Sequence, residues 1–215
     1  MRLMQSLLRL FFKLLYHQMA WTYDLVARLV SLGRWNGWVQ SVLPFLDGRI
    51  LEIGFGPGHL QLALQERGRP VFGLDESRQM ARQASRRLHR KGYPANVVRG
   101  DARQLPFLNA AFNRVAATFP TDYIFEADTL REIRRVLVPG GKLVIAPSAW
   151  ITGKRLDERL AAGLFRVTGQ AGVLEAVLPG IKRRLEQSGF EVRHELVELP
   201  GSRVLVIMAT KNEGL

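Results

Sequence analysis

Short apolar runs alternate with helical stretches from residue 49 onward, and this alternation constrains the fold more than any other feature. Strands alternating with helices predict βαβ units and a buried parallel sheet. Two further strands near the carboxyl end are joined by Pro200-Gly201, a hairpin signal. The predicted strands are Arg49–Ile53, Pro70–Leu74, Ala95–Arg99, Phe112–Thr118, Lys142–Pro147, Glu191–Leu199 and Arg203–Thr210. The sequence therefore predicts an α/β, doubly wound sheet that ends in an antiparallel pair.

Helical patterns fill the intervals between these strands. Apolar residues that recur every three to four positions predict helices at His59–Arg67, Ser77–Lys91, Ala127–Leu137 and Gly180–Ser188. Residues 149–179 contain weak turn signals, and we interpret them as a further helical insert.

The composition narrows the chemistry of any site. The chain has 215 residues and no cysteine, which excludes disulfides, thiolate metal ligands and a cysteine nucleophile. We expect no metal, because the four histidines are scattered along the sequence: His17, His59, His89 and His194. Lys and Arg number 31 against 19 Asp and Glu, and the net charge of +12 predicts attraction to an anionic partner.

Residues 1–21 have the pattern of an apolar amphipathic helix with a narrow basic stripe, which is typical of interfacial helices. We interpret residues 1–46 as an amphipathic helical extension or lid, and residues 47–215 as one domain. The helix packs on that domain or on a second subunit, or it lies on a membrane surface or over the site. The longest uncharged run, Trp35–Leu46, has 12 residues and is too short to span a membrane.

A glycine-rich loop follows the first predicted strand, with Gly54, Gly56 and Gly58 spaced two residues apart. Glycines allow a sharp turn and a close approach of the backbone to a ligand, and the next helix presents its N-terminus there. The third glycine comes one residue too early for the dinucleotide-binding pattern, and the Lys-Ser/Thr of a P-loop is missing. Glu52, two residues before the first glycine, favours a ligand that carries a cation.

The segment Glu52-x-Gly54-x-Gly56-x-Gly58 resembles the first motif of the class I S-adenosylmethionine (SAM)-dependent methyltransferases, in the group similar to methyltransferase-11. Gly73–Met80, Gly100–Phe107 and Leu130–Gly141 resemble three further motifs of the same family, in the family's order. The resemblance implies SAM as the cofactor of domain 47–215. It also implies a mostly parallel, seven-stranded Rossmann-like sheet with a C-terminal antiparallel hairpin, preceded by N-terminal helices.

The resemblance implies which residues hold the cofactor. It places Asp75, which can accept two hydroxyl hydrogen bonds, at the ribose and Asp101 at the adenine amino group. The implied cofactor-binding residues are Glu52, Gly54, Phe55, Gly56, Gly58, Asp75, Glu76, Met80, Asp101, Ala102 and Thr118. Phe112-Asn113 departs from the family's Phe-Asp, and we expect a structural role there with little effect on cofactor binding.

Tyr23 and Tyr123 are the catalytic candidates, and a purely structural role is the alternative for each. Tyr23-Asp24-Leu25 and Ser31–Trp38 resemble a segment of quinone-biosynthesis and phospholipid N-methyltransferases. That resemblance implies a hydrophobic or lipid-like small-molecule acceptor. Our hypothesis is a SAM-dependent methyltransferase for such an acceptor, cytoplasmic and able to attach to an anionic membrane surface at the inner face. The acceptor, the methylated atom and the oligomeric state stay open.

Two alternatives remain at this point. Arg78, Arg82, Arg86 and Arg90 are spaced four apart on one predicted helix. This stripe either contacts RNA phosphates, as in an RNA methyltransferase, or is a solvated outer face. Nucleic acid is the less favoured partner, because aromatic residues do not interleave with the arginines. The second alternative is a protein of this fold that binds without catalysing.

Overall fold

The computed structural model describes Ser31, residues 33–152 and residues 173–212. The predicted N-terminal amphipathic helix, Tyr23 and residues 153–172 lie outside this part. Its helices are α1 (Trp35–Gln40), α2 (His59–Gln65), α3 (Arg78–His89), α4 (Ala127–Val136) and α5 (Val173–Gln187), with short 3-10 helices at Leu43–Phe45 and Asp122–Phe125. Its strands are β1 (Ile50–Ile53), β2 (Val71–Asp75), β3 (Val97–Arg99), β4 (Phe112–Thr118), β5 (Leu137–Ile151), β6 (Phe190–Leu199) and β7 (Ser202–Lys211).

The seven strands form one sheet in the order β3-β2-β1-β4-β5-β7-β6. The strands β1 to β5 are parallel to one another, and β7 lies antiparallel between β5 and β6. This arrangement confirms the predicted fold class and the hairpin at Pro200-Gly201. The strand order reverses between β1 and β4, and open α/β sheets bind ligands in the crevice at the carboxyl ends of such strands.

Each face of the sheet buries its own apolar cluster. On one face, α1 and α2 cover β1, β4, β5 and β7, with Trp38, Leu60 and Leu64 in the core. On the other face, α4, α5 and the 3-10 helix Asp122–Phe125 cover a second cluster that includes Ile124 and Ile133. The strand β1 is buried at every position, which explains why its sequence is nearly all apolar.

The strand β5 is longer than the predicted Lys142–Pro147. It begins at Leu137, which pairs with Phe112 of β4, and it continues to Ile151, which pairs with Ser202 of β7. Assigning residues 149–151 to a helical insert was therefore wrong, because the long arm of the hairpin supplies these residues with an antiparallel partner. The register shifts between Ile145 and Ser148, where Pro147 lacks an N–H to donate.

The described part of the predicted extension packs into the core. Trp38, Val39, Val42 and Leu46 are all buried. The domain boundary at residue 46 stays a prediction, because the N-terminal segment lies outside the described residues. Across residues 33–152 and 173–212, no helix is both long and apolar enough to cross a membrane.

The arginine-rich helix α3 is amphipathic. Its apolar stripe of Met80, Ala84 and Leu88 is buried, whereas the arginines at 78, 82, 86 and 90 are exposed. The Ser77 hydroxyl accepts a hydrogen bond from the backbone N–H of Met80 and caps the helix N-terminus.

Candidate active site

The glycine loop between β1 and α2 uses its glycines for different reasons. All three have positive φ, which favours glycine: +72° at Gly54, +51° at Gly56 and +82° at Gly58. A Cβ at Gly58 would lie 2.8 Å from the Cβ of Ala84 in α3, so this glycine allows close packing. Among the described residues, a Cβ at Gly56 would meet no atom within 4 Å, so this part of the loop leaves room for a ligand.

Asp75, the last residue of β2, fixes the position of the glycine loop by accepting a backbone hydrogen bond from it. Its Oδ2 accepts a hydrogen bond from the Gly56 N–H at 2.8 Å, and its Oδ1 accepts one from the Ser77 N–H at 2.8 Å. Partial burial raises the pKa of this carboxyl, and the two backbone hydrogen bonds oppose that rise. Each oxygen can accept a further hydrogen bond, so Asp75 has the capacity to bind two hydroxyls.

Glu52 lies in the buried strand β1 and is only 1% exposed. Burial raises the pKa of its carboxyl to about 8, although the hydrogen bond from the Gln61 side chain works in the opposite direction. Gln61 Nε2 donates to Glu52 Oε2 at 2.9 Å and to the Phe72 carbonyl at 3.2 Å. Gln61 Oε1 is buried without a hydrogen-bond partner in the described structure. Sequence reasoning missed Gln61, although a glutamine among the apolar residues of α2 is a signal.

The remaining predicted cofactor residues divide into buried and exposed groups. Phe55, Met80 and Ala102 are buried, and Phe55 packs where a side chain at Gly73 would have to lie. Thr118 at the end of β4 is half-buried. The two acidic residues Glu76 and Asp101 are exposed.

Asp101 follows Gly100, whose N–H donates to the Asp75 carbonyl at 3.1 Å and so joins the ends of β3 and β2. The Arg103 guanidinium donates to both carboxylate oxygens of Asp101, at 3.0 Å and 2.7 Å, and holds the pKa of Asp101 below its usual value. A cavity of about 690 Å³ adjoins this pair and extends along α4. The loop after β3 therefore begins beside Asp75, and its Asp101 carboxyl is stabilised in the ionised form by Arg103.

Two residues of α4 hold this loop in place. Arg135 donates to the carbonyls of Leu105 at 2.9 Å and Phe107 at 2.7 Å, and to Asn109 Oδ1 at 2.9 Å. Glu132 pairs with Arg135 and accepts the Leu105 N–H at 2.8 Å. The sequence pattern located both motifs but missed this connection, because it depends on two segments that are distant in the chain.

Tyr123 brings the loop after β4 over the glycine loop. It lies in the 3-10 helix Asp122–Phe125, whose Ile124 is fully buried, and its hydroxyl lies against the Cα of Gly54, where a side chain would have to project. The structure thus brings this catalytic candidate to the crevice between β1 and β4. The other candidate, Tyr23, lies outside the described residues.

Asn113 has the structural arrangement expected for it. Its Oδ1 accepts the backbone N–H of Arg49 at 2.9 Å, and its side chain occupies the space where a Cβ at Gly48 would lie. An amide keeps the acceptor that a carboxylate would provide, which explains how Asn can replace the family's Asp.

Residues 50–141 match the family model described as "Methyltransferase domain". A demethylmenaquinone methyltransferase from Thermotoga maritima is 30% identical over 206 residues, which are 84% of this chain and 88% of that protein. A demethylmenaquinone methyltransferase from Thermus thermophilus is 35% identical over 138 residues, which are 61% of this chain and 63% of that protein.

A solved structure, a SAM-dependent methyltransferase from Aquifex aeolicus, has the same fold. It superposes with a TM-score of 0.56 at 19% identity and covers 80% of this chain and 88% of that chain. The motifs at Gly54–Gly58 and Asp75, the sheet order and the identity to relatives agree. This chain therefore belongs to the class I SAM-dependent methyltransferases.

Proposed function

We propose that this enzyme transfers a methyl group from SAM to a ring carbon of a demethylmenaquinone-like quinone in its reduced form. The observation that carries the acceptor is the 30% identity over most of the length of the Thermotoga demethylmenaquinone methyltransferase. The relatives reported above support neither an RNA acceptor nor a non-catalytic binding protein. Because the alignment spans only 63% of the Thermus relative, the acceptor is a proposal for this chain.

The residues present fit the cofactor. The open backbone at Gly56 leaves room for a ligand, and Asp75 has acceptor capacity for two ribose hydroxyls. Gln61 Oε1, which has no hydrogen-bond partner among the described residues, offers a buried acceptor, and the adjacent Glu52 carboxyl supplies negative charge once a cationic group favours its ionised form. We assign the adenine side to Asp101 and Ala102, at the loop held by Arg135.

SAM supplies an electrophilic methyl group bound to a sulfonium, so the main task of the protein is alignment and exclusion of water. In such a reaction an electron-rich quinol ring would donate the electron pair for the new C–C bond while the methyl–sulfur bond breaks. S-adenosylhomocysteine would leave as a neutral thioether, and the ring proton would pass to solvent. Tyr123 is placed at Gly54, where its hydroxyl can hydrogen-bond an oxygen of the acceptor. We therefore assign Tyr123 an orienting role at the acceptor.

A lipid-like acceptor requires access to a membrane surface, and the amphipathic pattern of residues 1–21 supports attachment there. Deleting residues 1–19 should abolish sedimentation with anionic vesicles and should depress activity on quinols presented in those vesicles. Activity on a short-chain quinol should be retained. Equal vesicle binding by the truncated and full-length proteins would refute the membrane role.

Incorporation of label from radiolabelled SAM into a reduced demethylnaphthoquinone tests the proposal. We expect labelled methyl in the quinone fraction, and a SAM affinity lowered roughly tenfold or more in Asp75→Asn, because hydrogen bonds to a charged group are lost. Asp47→Asn is the matched control, since Asp47 is exposed, pairs with Arg114 at 2.9 Å and precedes β1, at the strand end opposite the glycine loop. Label in RNA or another metabolite pool, with none in the quinone, would contradict the proposal.

A further inference from the structure

Phe119, the residue directly after β4, has an unusual backbone conformation. Its φ of +50° is in the left-handed region, which a bulky side chain rarely adopts. Its N–H donates to the Ala146 carbonyl at 2.7 Å, so a hydrogen bond to β5 holds this conformation. Strain of this kind persists where the surroundings over-determine it, and it occurs often at ligand sites.

The Phe119 ring belongs to an aromatic cluster with Trp35 and Trp38 of α1. Its ring centroid lies 4.8 Å from that of Trp35 and 6.2 Å from that of Trp38. Both distances are typical of stabilising aromatic pairs. Trp38 is buried, whereas Trp35 and Phe119 are only half-buried. Trp35 and Phe119 therefore keep part of their surface accessible, and the buried Trp38 is the inner member of the cluster.

Hydrogen bonds fix this cluster at the carboxyl edge of the sheet. Trp38 Nε1 donates to Ser202 Oγ at 2.9 Å, and Ser202 pairs with Ile151 at the carboxyl end of β5. Arg34 Nε donates to the Pro200 carbonyl at 3.4 Å, in the turn before β7. Because the first turn of α1 is tied to this edge, Trp35 lies beside the end of β4, on the far side of the crevice from Asp75.

We infer that Trp35 and Phe119 form the surface on which a flat, conjugated ring of the methyl acceptor stacks. This inference rests on the proposed function and names the acceptor side of the same site. The crevice places the cofactor residues Gly56 and Asp75 at β1 and β2, so an acceptor must approach from β4 and β5. Two half-buried aromatic side chains at that position suit a quinoid ring, and the strained Phe119 backbone directs one of them there.

The competing role is structural: the cluster only fastens α1 to the sheet. Trp35→Leu and Phe119→Leu test this, with acceptor KM, SAM Kd and melting temperature measured for each. Loss of one aromatic stacking partner should raise the acceptor KM roughly 2- to 12-fold while the SAM Kd stays within about twofold. Trp35→Phe, which keeps an aromatic face, should restore most of the acceptor affinity.

Two controls separate packing from binding. Trp38→Phe should lower the melting temperature with little change in acceptor KM, because Trp38 is buried and bonded to Ser202. Phe107→Leu removes a half-buried ring on the other face of the sheet, packed on Phe112 at 5.1 Å, and should leave the acceptor KM unchanged. An unchanged acceptor KM in Trp35→Leu, or an equal rise in SAM Kd, would overturn the inference.

Equilibrium dialysis with 1,4-naphthoquinone gives a readout that does not need turnover. If the wild type fails to methylate the quinol but binds naphthoquinone more tightly than Trp35→Leu does, the proposed function fails and the stacking surface stands. If the wild type methylates the quinol and Trp35→Leu matches it in both assays, the stacking surface fails alone. If the wild type neither binds naphthoquinone nor methylates the quinol, both are refuted.

Discussion

The close packing of Gly58 on α3 leads to a quantitative prediction for Gly58→Ala. The substitution puts a side chain at φ +82° and places its Cβ 2.8 Å from the Cβ of Ala84 and 3.0 Å from its Cα. The left-handed conformation costs about 1–2 kcal/mol and the overpacking roughly 1–3 kcal/mol, so the free energy of unfolding should fall by about 2–5 kcal/mol. For a chain of this size, each kcal/mol corresponds to about 2–4 °C in melting temperature.

Gly56→Ala is the matched comparison, because it adds the same methyl group at φ +51°, where no atom of the residues that the structure describes lies within 4 Å. It should lose only the conformational term, about 1–2 kcal/mol, but it should weaken SAM binding because its methyl group projects into the open loop. Urea unfolding measures the first effect and calorimetric SAM titration the second. Equal destabilisation by the two substitutions would refute the packing argument, as would failure of Ala84→Gly to offset part of the Gly58→Ala loss.

Three further residues, Glu52, Asn113 and Arg135, lead to testable substitutions. Between pH 4.5 and about 8, Glu52 is protonated in the folded protein but ionised in the unfolded chain. The free energy of unfolding should therefore fall as the pH rises across that window. The Glu52→Gln variant should lack this pH-dependent contribution. Because a cationic ligand favours the ionised carboxyl, SAM affinity measured by calorimetry should increase with pH up to about 8 in the wild type. In Glu52→Gln, SAM should bind more weakly and its affinity should depend less on pH. The same pH dependence of SAM affinity in both proteins would contradict this. Asn113→Ala should lower the free energy of unfolding by about 1 kcal/mol in urea titrations, because the Arg49 N–H loses its acceptor, whereas Asn113→Asp should be nearly neutral. Arg135→Met should lower the free energy of unfolding by about 2 kcal/mol and increase amide hydrogen exchange at residues 105–109. Arg131→Met, at an exposed position on the same helix, should change neither quantity. Similar hydrogen exchange in both variants would count against the role of Arg135.

Local sequence patterns were sufficient to predict the order of the helices and strands and the position of the glycine loop. The apolar run at Ile50–Ile53 and the glycines after it predict a buried strand followed by a turn and a helix, and this depends only on residues adjacent in the chain. The hairpin at Pro200-Gly201 is local in the same way. The extension of β5 to Ile151 was not predictable, because its hydrogen-bond partners are in β7, about fifty residues away.

The site shows the same division between local and long-range contacts. Glu52, Asp75 and Asp101 are recognisable from motifs, since each lies at a fixed distance from a strand end. The partner of Glu52, the clamp that Arg135 forms on the loop after β3, and the Trp35 stack on Phe119 depend on segments that meet only when the sheet is assembled. Side-chain hydrogen bonds and ring contacts are set by the packing of helices on the sheet, and that packing leaves no periodic signal in the sequence.

The sequence by itself therefore determined the family and its cofactor, because glycine spacing and acidic residues at strand ends follow from local backbone geometry. Only the tertiary structure decided what surrounds them: a buried Glu52 whose pKa is about 8, an Asp75 that holds the Gly56 backbone, and an aromatic surface at the end of β4. Burial and proximity arise from contacts between distant segments, and for this reason they appear only in the folded chain.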